Sequence, residues 1–338
     1  MGRFHWEEKK MKKILNLLLA VMLCISLSAC SANSGGSSGN ESSEDEKTTY
    51  TVGIIQLVQH EALDAATQGF IDALKEKLGD AVEITSQNGS GDYNSCSTIV
   101  NQYVSDKVDL IMANATPALQ AASSATNSIP IVGVSISHYG TALGIDPWTG
   151  VTGKNVTGVS DLAPLDEQAQ QIKEIFPEAK KVGILYCSSE ANSSYQATEI
   201  AKTLDQLNLE HEDFTFSDSN DISAVTESAC EYADVIYIPT DNTAATYAET
   251  IHNVAYVKEV PIVAGEEGIA RACGTVTITL DYYTIGYQSG LMAYDILVNG
   301  ADPATMEIQF ADEFVKKYNK EICEKYGLAI PSDYVALD

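Results

Sequence analysis

Basic residues are scarce in this sequence of 338 residues. Lysine and arginine number 20 against 47 aspartate and glutamate residues, which gives a formal net charge of −27 at pH 7. A negative field of this size repels the phosphates of nucleic acids and anionic lipid headgroups. We therefore expect no nucleic-acid partner and interpret the acidic surface as a solvated one.

Cysteine and histidine are few, and their spacing forms no metal-binding pattern. The seven cysteines include no CxxC pair, and the five histidines include neither HExxH nor a pair four residues apart. We therefore expect no metal site and no disulfide framework. Five cysteines beyond residue 30 are expected to be mostly buried thiols, with one internal disulfide as the alternative: Cys96, Cys187, Cys230, Cys273 and Cys323.

The usual motifs of catalysis and phosphate binding are missing as well. The sequence has no nucleophile elbow, no P-loop and no GxGxxG after its first predicted strand. The glycine-rich stretch Asn88–Asp92 lacks the lysine of a phosphate cradle. We expect a binding protein without cofactor or catalysis, and an enzyme is the rival interpretation.

The N-terminal residues have the pattern of a secretory signal. Lys12 and Lys13 precede an apolar run, Ile14 to Leu27, that is too short for a membrane span. The run ends in the lipobox pattern LSAC, which predicts cleavage before Cys30 and a lipid on its sulfur. An ordinary signal peptide with a chance cysteine is the alternative. Because Glu7 and Glu8 precede the basic pair, we interpret Met11 as the start.

The chain beyond the signal divides into a polar segment and a long globular part. Residues 30–49 are serine, glycine, asparagine and glutamate with few apolar residues, which predicts a flexible tether. Nearly 290 residues remain, which suits two lobes. The predicted division is a signal peptide at 1–29, the tether at 30–49, lobe 1 at 50–162 plus 281–306, and lobe 2 at 163–280 plus 307–338. Lobe crossings are expected near 160–164, 279–281 and 306–309.

The globular part alternates short apolar strands with amphipathic helices, and the series runs twice. The predicted strands are Tyr50–Leu57, Val82–Ser86, Val108–Ala113, Ile129–Val134, Lys181–Tyr186, Glu212–Thr215, Val235–Ile238, Pro261–Ala264, Val276–Leu280 and Glu307–Phe310. The predicted helices are Ala62–Leu78, Cys96–Ser105, Pro117–Ala125, Ser194–Leu207, Ile222–Glu231, Thr243–Lys258, Asp281–Asn299 and Asp312–Tyr326. This order predicts an α/β fold of two doubly wound parallel-sheet lobes joined by a three-crossing hinge.

Two strand-to-helix turns share one design. Each has an acidic residue, an apolar strand, a hydroxyl-bearing turn and a helix rich in alanine and threonine, at 109–117 and at 234–242. Ligands of open α/β sheets lie beyond the carboxyl ends of strands, where helix N-termini offer free N–H groups. Two such turns facing each other predict a clamp for a zwitterion.

Several linked motifs carry a family resemblance across about Val52 to Gly300. They are QHEALD (59–64), ATPA (115–118), NVTGVSD (155–161), LY (185–186) with EANS (190–193), PTDN (239–242), GEEG (265–268) and DYY (281–283) leading into Gly286. In number and order they resemble the tryptophan/tyrosine-type ABC transporter substrate-binding lipoproteins, which have a type I periplasmic-binding-protein fold.

The resemblance implies a lipoprotein anchored at the outer face of the cell membrane. It implies an aromatic amino acid (Trp, Tyr or Phe) captured between the lobes by hinge closure, with an ABC permease and its ATPase as partners. One departure bears on the ligand: Ser137-His138-Tyr139 stands where many relatives have Thr-Asp-Pro. A nucleoside or a sugar is the alternative ligand, and a sensor or adhesin role is the alternative function.

The candidate ligand-binding residues lie at these turns and crossings: Gln59, His60, Glu61, Thr116, Pro117, Ala118, Ser137, Ser160, Asp161, Glu190, Asn192, Ser193, Asp241, Asn242 and Asp281. A carboxylate at Asp161 or Asp241 can hold an ammonium group by a charge-assisted hydrogen bond. Helix capping and hinge turns are the alternative roles for these positions. Four tyrosines are candidates for stacking on an aromatic ligand: Tyr93, Tyr139, Tyr195 and Tyr282.

Overall fold

The computed structural model describes residues 49–337, in which two separate sheets are each covered by helices. The predicted signal peptide, the predicted start at Met11, the predicted lipidation site Cys30 and nearly all of the predicted tether lie outside the described residues. None of the helices in the described part is long and apolar enough to cross a membrane. All five cysteines within this part are free thiols, so the alternative of an internal disulfide among them is wrong.

The first sheet has six strands in the order β11-β5-β4-β3-β1-β2, and every pairing is parallel. Its strands are β1 (Tyr50–Gln56), β2 (Val82–Asn88), β3 (Leu110–Asn114), β4 (Ile131–Val134), β5 (Val156–Ser160) and β11 (Gln309–Phe310). Its helices are α1 (Glu61–Leu78), α2 (Tyr93–Asp106), α3 (Thr116–Ala125), α4 (Tyr139–Leu143) and α11 (Tyr282–Asn299).

The second sheet has seven strands in the order β13-β12-β10-β9-β8-β6-β7, and only the pair β10–β12 is antiparallel. Its strands are β6 (Lys181–Cys187), β7 (Glu210–Phe216), β8 (Val235–Ile238), β9 (Ile262–Ala264), β10 (Val276–Thr279), β12 (Val315–Tyr318) and β13 (Val335–Ala336). Its helices are α5 (Leu165–Ile175), α6 (Ala191–Gln206), α7 (Ile222–Tyr232), α8 (Asn242–Thr246), α9 (Ala248–Lys258), α10 (Glu267–Ala272) and α12 (Lys320–Lys325).

The central strands are apolar because both faces of each sheet are covered. Every residue of β3 and of β8 is buried. Each sheet therefore separates two apolar clusters, one under each helical layer. Parallel sheets enclosed in this way have continuous apolar strands, and the predicted fold of two doubly wound lobes is confirmed.

Glycines let α1 and α11 pack backbone to backbone. A Cβ atom at Gly286 would lie 2.0 Å from the carbonyl oxygen of Ala66, and one at Gly69 would lie 2.1 Å from that of Tyr283. Any larger residue at either position would separate the helices. This close contact fixes the first turns of both helices, which carry residues of the cleft.

Two predicted helices differ from the structure. The prediction of one helix from Asp312 to Tyr326 is wrong, because Val315–Tyr318 is a strand paired antiparallel with β10 and the helix begins only at Lys320. The prediction of one helix over Thr243–Lys258 is also wrong. Tyr247 leaves the helical conformation, with φ −111° and ψ 23°, and separates α8 from α9.

The chain passes between the lobes three times. The passages lie between β5 and α5, between β10 and α11, and between β11 and β12. The third lies later than expected near 306–309, because Gln309–Phe310 pairs with Val159–Ser160 in the first sheet. The predicted assignment of this short strand to lobe 2 is therefore wrong.

Candidate functional site

A small cavity lies between the lobes at the carboxyl ends of their parallel strands. In this conformation its volume is ≈ 10 Å³, enough for about one water molecule, so a larger ligand fits only when the side chains around it move apart. Its lining residues are His60, Ala62, Leu63, Ser135, Asp161, Asn192, Thr240, Asp241, Asn242, Ala245, Glu266 and Tyr282.

Asp161 is the acidic group that lobe 1 contributes to the cavity. Its carboxylate accepts hydrogen bonds from the Ser137 hydroxyl at 3.0 Å and the Tyr282 hydroxyl at 3.3 Å. The side chain is 3% exposed, and burial raises its pKa to about 6 although both hydroxyls favour the charged form. Ser160 supports the turn, since its hydroxyl donates to the Ser137 carbonyl at 3.0 Å and accepts from the N–H of Leu162 at 3.1 Å.

Asp241 enters the cavity from lobe 2 as the N-cap of α8. One carboxylate oxygen accepts from the N–H of Cys187 and the other from the N–H of Ala244, each at 2.7 Å. Burial, and next the charge of Glu190, raise its pKa to about 7. Helix capping was the alternative role for the residues of this turn, and Asp241 is the residue that caps the helix.

Glu266 is a third carboxyl group of the cavity, and it is absent from the predicted site. It is the N-cap of α10, accepts from the N–H groups of Gly268 and Ile269, and is 2% exposed. Burial raises its pKa. The GEEG motif could have indicated a site residue here, but it has two adjacent glutamates and the sequence does not show which of them faces the cavity. Glu267 instead pairs with Arg271 and Lys317.

These three carboxyl groups share one electrostatic feature. Among residues 49–337, none of the ion pairs includes Asp161, Asp241 or Glu266. A buried negative charge is stable only when a positive charge or several hydrogen bonds compensate it. Burial raises the pKa of all three groups, although their hydrogen bonds lower it and His60, which also lines the cavity, lowers that of Glu266.

Glu190 organises the lobe 2 side of the cavity rather than its centre. Its carboxylate accepts from the side chain of Asn242 at 2.6 Å, the hydroxyl of Thr243 at 2.8 Å, and the N–H groups of both. The Asn192 amide also donates to it, at 3.3 Å. The buried Ser193 hydroxyl bonds to Asp241. Four predicted site residues of lobe 2 therefore form one network with Asp241.

Polar and aromatic contacts join the two lobes around the cavity. The His60 ring and the Asn242 amide oxygen are 3.2 Å apart, and the Gln196 amide donates to the Ser137 hydroxyl at 3.0 Å. The His138 ring stacks on the Tyr195 ring, with centroids 4.3 Å apart and an interplanar angle of 3°. These contacts exist only while the lobes are together, so the structure describes a closed cleft.

The remaining predicted residues lie outside the small cavity. Gln59 and Asp281 are exposed, and Asp281 caps α11 by accepting from the N–H of Thr284 at 3.1 Å. Glu61 is exposed and pairs with Arg271 across the cleft at 3.3 Å. Pro117 lines a separate, outer cavity between the lobes.

Three members of the ATPA motif, Ala115, Thr116 and Ala118, are buried at the start of α3. Ala118 packs in the core of lobe 1. The Thr116 side chain is 2% exposed, and its hydroxyl has no hydrogen-bond partner among the described residues. The motif therefore contributes mainly to packing and to the helix start.

The four candidate tyrosines have different positions. Tyr282 lines the small cavity, and Tyr93 lines the outer one. Tyr139 is in the core, where its hydroxyl donates to the carbonyl of Gly133 at 2.8 Å. Tyr195 lies at the rim, stacked on His138. Only Tyr282 therefore lines the small cavity.

Known proteins resemble the chain along most of its length. A "tyrosine-binding protein" of Clostridioides difficile is 36% identical over 293 residues, which cover 85% of each chain. An ABC domain from Streptococcus pneumoniae, solved in complex with L-Trp, is 30% identical with a TM-score of 0.81, and the match covers 84% of this chain and 97% of that one.

A second solved structure differs in conformation. It is the ligand-free, open form of a substrate-binding protein with adhesive properties from Clostridium difficile, 31% identical, with a TM-score of 0.66 over 86% of this chain and 100% of that one. The sequence profile of the ABC transporter substrate binding proteins matches residues 51–337. The chain therefore belongs to the family of ABC transporter substrate binding proteins.

Proposed function

We propose that this protein binds an aromatic α-amino acid between its lobes and delivers it to an ABC permease from the outer face of the cell membrane. The observation that carries the proposal is the set of three buried carboxyl groups, Asp161, Asp241 and Glu266, around one small cavity. None of them is in an ion pair among residues 49–337, and the basic side chain beside them is His60, which lowers the pKa of Glu266.

An ammonium group is the cation that such a cavity selects. It brings three N–H donors and a full positive charge, and hydrogen bonds of this kind are the strong ones in proteins. A sugar or a nucleoside brings no positive charge and would leave the three carboxyl groups uncompensated. The electrostatics of the cavity therefore favour an amino acid over both alternatives.

The aromatic class is supported by apolar lining and by the relatives. Ala62, Leu63 and Ala245 give the cavity apolar walls, and the Tyr282 ring offers a stacking surface. The relatives at 36% and 30% identity are described as tyrosine-binding and as a complex with L-Trp. Phenylalanine completes the class.

Hinge closure is the expected mechanism of capture. The structure resembles the L-Trp complex more closely than the open, ligand-free structure, although the two sequence identities are almost equal. A ligand favours the closed state through contacts that exist only there. Carboxyl groups from both lobes would then bind one ammonium group at the same time.

Delivery to a permease and its ATPase follows from the family, and lipid anchoring at Cys30 follows from the lipobox. The acidic surface offers partners for basic residues of a permease. Labelling cells with a radioactive lipid precursor would test the anchor, because replacing Cys30 by alanine should abolish incorporation.

The ligand is tested by isothermal titration calorimetry on protein that has been unfolded and refolded to remove carried-over ligand. The panel consists of Trp, Tyr, Phe, aliphatic amino acids, nucleosides and sugars. We expect micromolar or tighter binding of at least one aromatic amino acid. Binding of a nucleoside or a sugar alone would contradict the proposal.

The role of the buried carboxyl groups is tested with a matched pair of variants. Asp161→Asn should weaken binding by about 30-fold or more, because removing one partner of a buried charge pair costs about 2–5 kcal/mol. Asp302→Asn is the control, since Asp302 is exposed, lines none of the cavities between the lobes, and accepts from the N–H of Ala304 at 3.0 Å in a turn that asparagine also favours. Equal effects of the two substitutions would contradict the assignment.

A further inference from the structure

Two residues that line the small cavity each have a buried side-chain atom with no hydrogen-bond partner among the described residues. The two atoms are the Ser135 hydroxyl oxygen, on lobe 1, and the Asn192 amide oxygen, on lobe 2. The two residues are 6% and 5% exposed. Buried polar atoms are nearly always paired, so unpaired atoms on two residues of one cavity, one from each lobe, point to groups that a ligand completes.

The Asn192 amide is oriented by three acceptors. Its nitrogen donates to the Glu190 carboxylate at 3.3 Å, the Ser193 hydroxyl at 3.2 Å and the Thr240 carbonyl at 3.0 Å. The opposite orientation would turn the amide oxygen towards a carboxylate and a carbonyl oxygen, which repel it. The unpaired atom is therefore an acceptor, and it can bind only a donor such as ammonium.

Of the hydroxyls on residues that line the cavity, the Ser135 hydroxyl is the one that has no acceptor among the described residues. The other hydroxyls that line it are engaged, since Tyr282 donates to Asp161 and Thr240 donates to the carbonyl of Gly265. Ser135 follows β4 with φ +57°, a left-handed conformation that few residues other than glycine adopt. Such strain persists where the surrounding structure holds a functional side chain in position.

We propose that Ser135 donates a hydrogen bond to the α-carboxylate of the ligand while the Asn192 amide oxygen accepts one from its ammonium group. This inference rests on the proposed function and identifies the atoms that recognise the two ends of the zwitterion. Because the two residues belong to different lobes, a ligand must carry both ends to bridge them. The pair therefore makes closure selective for amino acids over amines and acids.

The experiment measures the affinities of L-tyrosine, of tyramine, which lacks the carboxylate, and of 3-(4-hydroxyphenyl)propionate, which lacks the ammonium group. L-tryptophan with tryptamine and indole-3-propionate serves if tyrosine is not the ligand. Titration calorimetry gives the strong affinities, and competition against the amino acid gives the weak ones. The variants are Ser135→Ala, Ser135→Gly and Asn192→Ala.

Both serine variants should weaken amino-acid binding about tenfold, the effect of losing a hydrogen bond to a charged group, and leave amine binding unchanged. The glycine variant separates this loss from backbone strain, because glycine adopts positive φ freely. Asn192→Ala should weaken the amino acid and the amine but leave the acid unchanged. Thermal unfolding monitors the fold of each variant.

Thr277→Val is the matched control. The Thr277 hydroxyl is also buried and unpaired among the described residues, but it lies on β10 and does not line the cavity. This variant should keep the wild-type affinity. The inference fails if the serine variants bind the amino acid normally, or if they weaken amino acid and amine equally. A wild-type protein that binds no aromatic amino acid would instead contradict the proposed function.

Discussion

The two lobes hold their buried acidic groups in the cavity by different means. In lobe 2, Asp241 and Glu266 are helix caps that accept from backbone N–H groups at the N-termini of α8 and α10, and Asp241 also accepts from the N–H of Cys187 at the end of β6. In lobe 1, Asp161 is held by the hydroxyls of Ser137 and Tyr282. The two lobe 2 carboxyl groups are therefore held by the backbone and help to stabilise the fold, whereas Asp161 is held by side-chain hydroxyls.

This difference separates binding from stability. Removing a cap leaves backbone donors unpaired whether or not ligand is present. Removing the Asp161 charge leaves only hydroxyls, which can rotate towards other acceptors. Substitutions in the two lobes should therefore weaken binding to a similar extent but affect the free energy of unfolding differently.

The largest effects on ligand affinity are expected for the two variants Asp241→Asn and Asp161→Asn. Both should weaken binding by about 30-fold or more, because each removes a buried partner of the ligand cation. An asparagine at position 241 would have one oxygen for two backbone donors, and an unsatisfied buried N–H costs about 1–3 kcal/mol. Calorimetric unfolding of ligand-free protein should therefore show a lower Tm for Asp241→Asn and an unchanged or higher Tm for Asp161→Asn. The same Tm for both variants would contradict the comparison.

The next effect is the pH dependence of binding. Burial raises the pKa of Asp161 to about 6 and that of Asp241 to about 7, so both bind protons more readily in the ligand-free closed form than in water. An ammonium ligand requires the ionised forms, so binding releases protons near pH 6. We expect affinity to fall by at least about tenfold from pH 8 to pH 5. Titration in buffers of different ionisation enthalpy measures the released protons.

The same groups change stability with the opposite sign. A carboxyl group with a raised pKa stabilises the folded state fully below its unfolded value, 3.8 for aspartate, and this contribution is lost as pH rises through 6 to 7. Saturating ligand should remove much of the loss. A Tm of ligand-free Asp161→Asn that depends on pH as strongly as that of wild type would contradict the assignment.

The sequence could predict the site residues whose place follows from local pattern, but not those whose role depends on contacts with distant parts of the chain. Asp161 was predicted because it lies at the first lobe crossing and Asp241 because it lies at a strand-to-helix turn, and both line the cavity. Glu266 and Ser135 were missed. Glu267 has the same chemistry as its neighbour, and the unpaired state of the Ser135 hydroxyl depends on atoms far away in sequence.

The fold, too, was predictable only where local sequence determines it. Doubly wound lobes follow from local apolar strands and amphipathic helices, and these were predicted. One exception lies near the third passage, where Val315–Tyr318 has helix-compatible lysines but pairs with Val276–Thr279, about 40 residues away. Long-range pairing determines such segments, and local propensity cannot reveal it.

A smaller effect concerns the stack of His138 on Tyr195 across the cleft. Asparagine at position 138 would keep the cap on the N–H of Thr141 but remove the stack. Since aromatic pairs contribute about 0.5–1.5 kcal/mol, we expect His138→Asn to weaken binding about threefold. His252→Asn is the control, because His252 contacts Tyr256 on its own helix. Stopped-flow dissociation should be faster only for His138→Asn.

The smallest effect belongs to the ion pair of Arg271 and Glu61, which joins the lobes at 3.3 Å. Both side chains are well solvated, and exposed pairs contribute about 0.2–1 kcal/mol. Glu61→Gln should therefore weaken binding about twofold, and added salt should remove the difference from wild type. Glu227→Gln is the matched control, because it breaks a pair of similar exposure with Lys258, at 2.7 Å, inside lobe 2. Only the Glu61 pair must separate when the cleft opens. A twofold loss of affinity in both variants would therefore show that the loss comes from the changed net charge and not from the broken contact across the cleft.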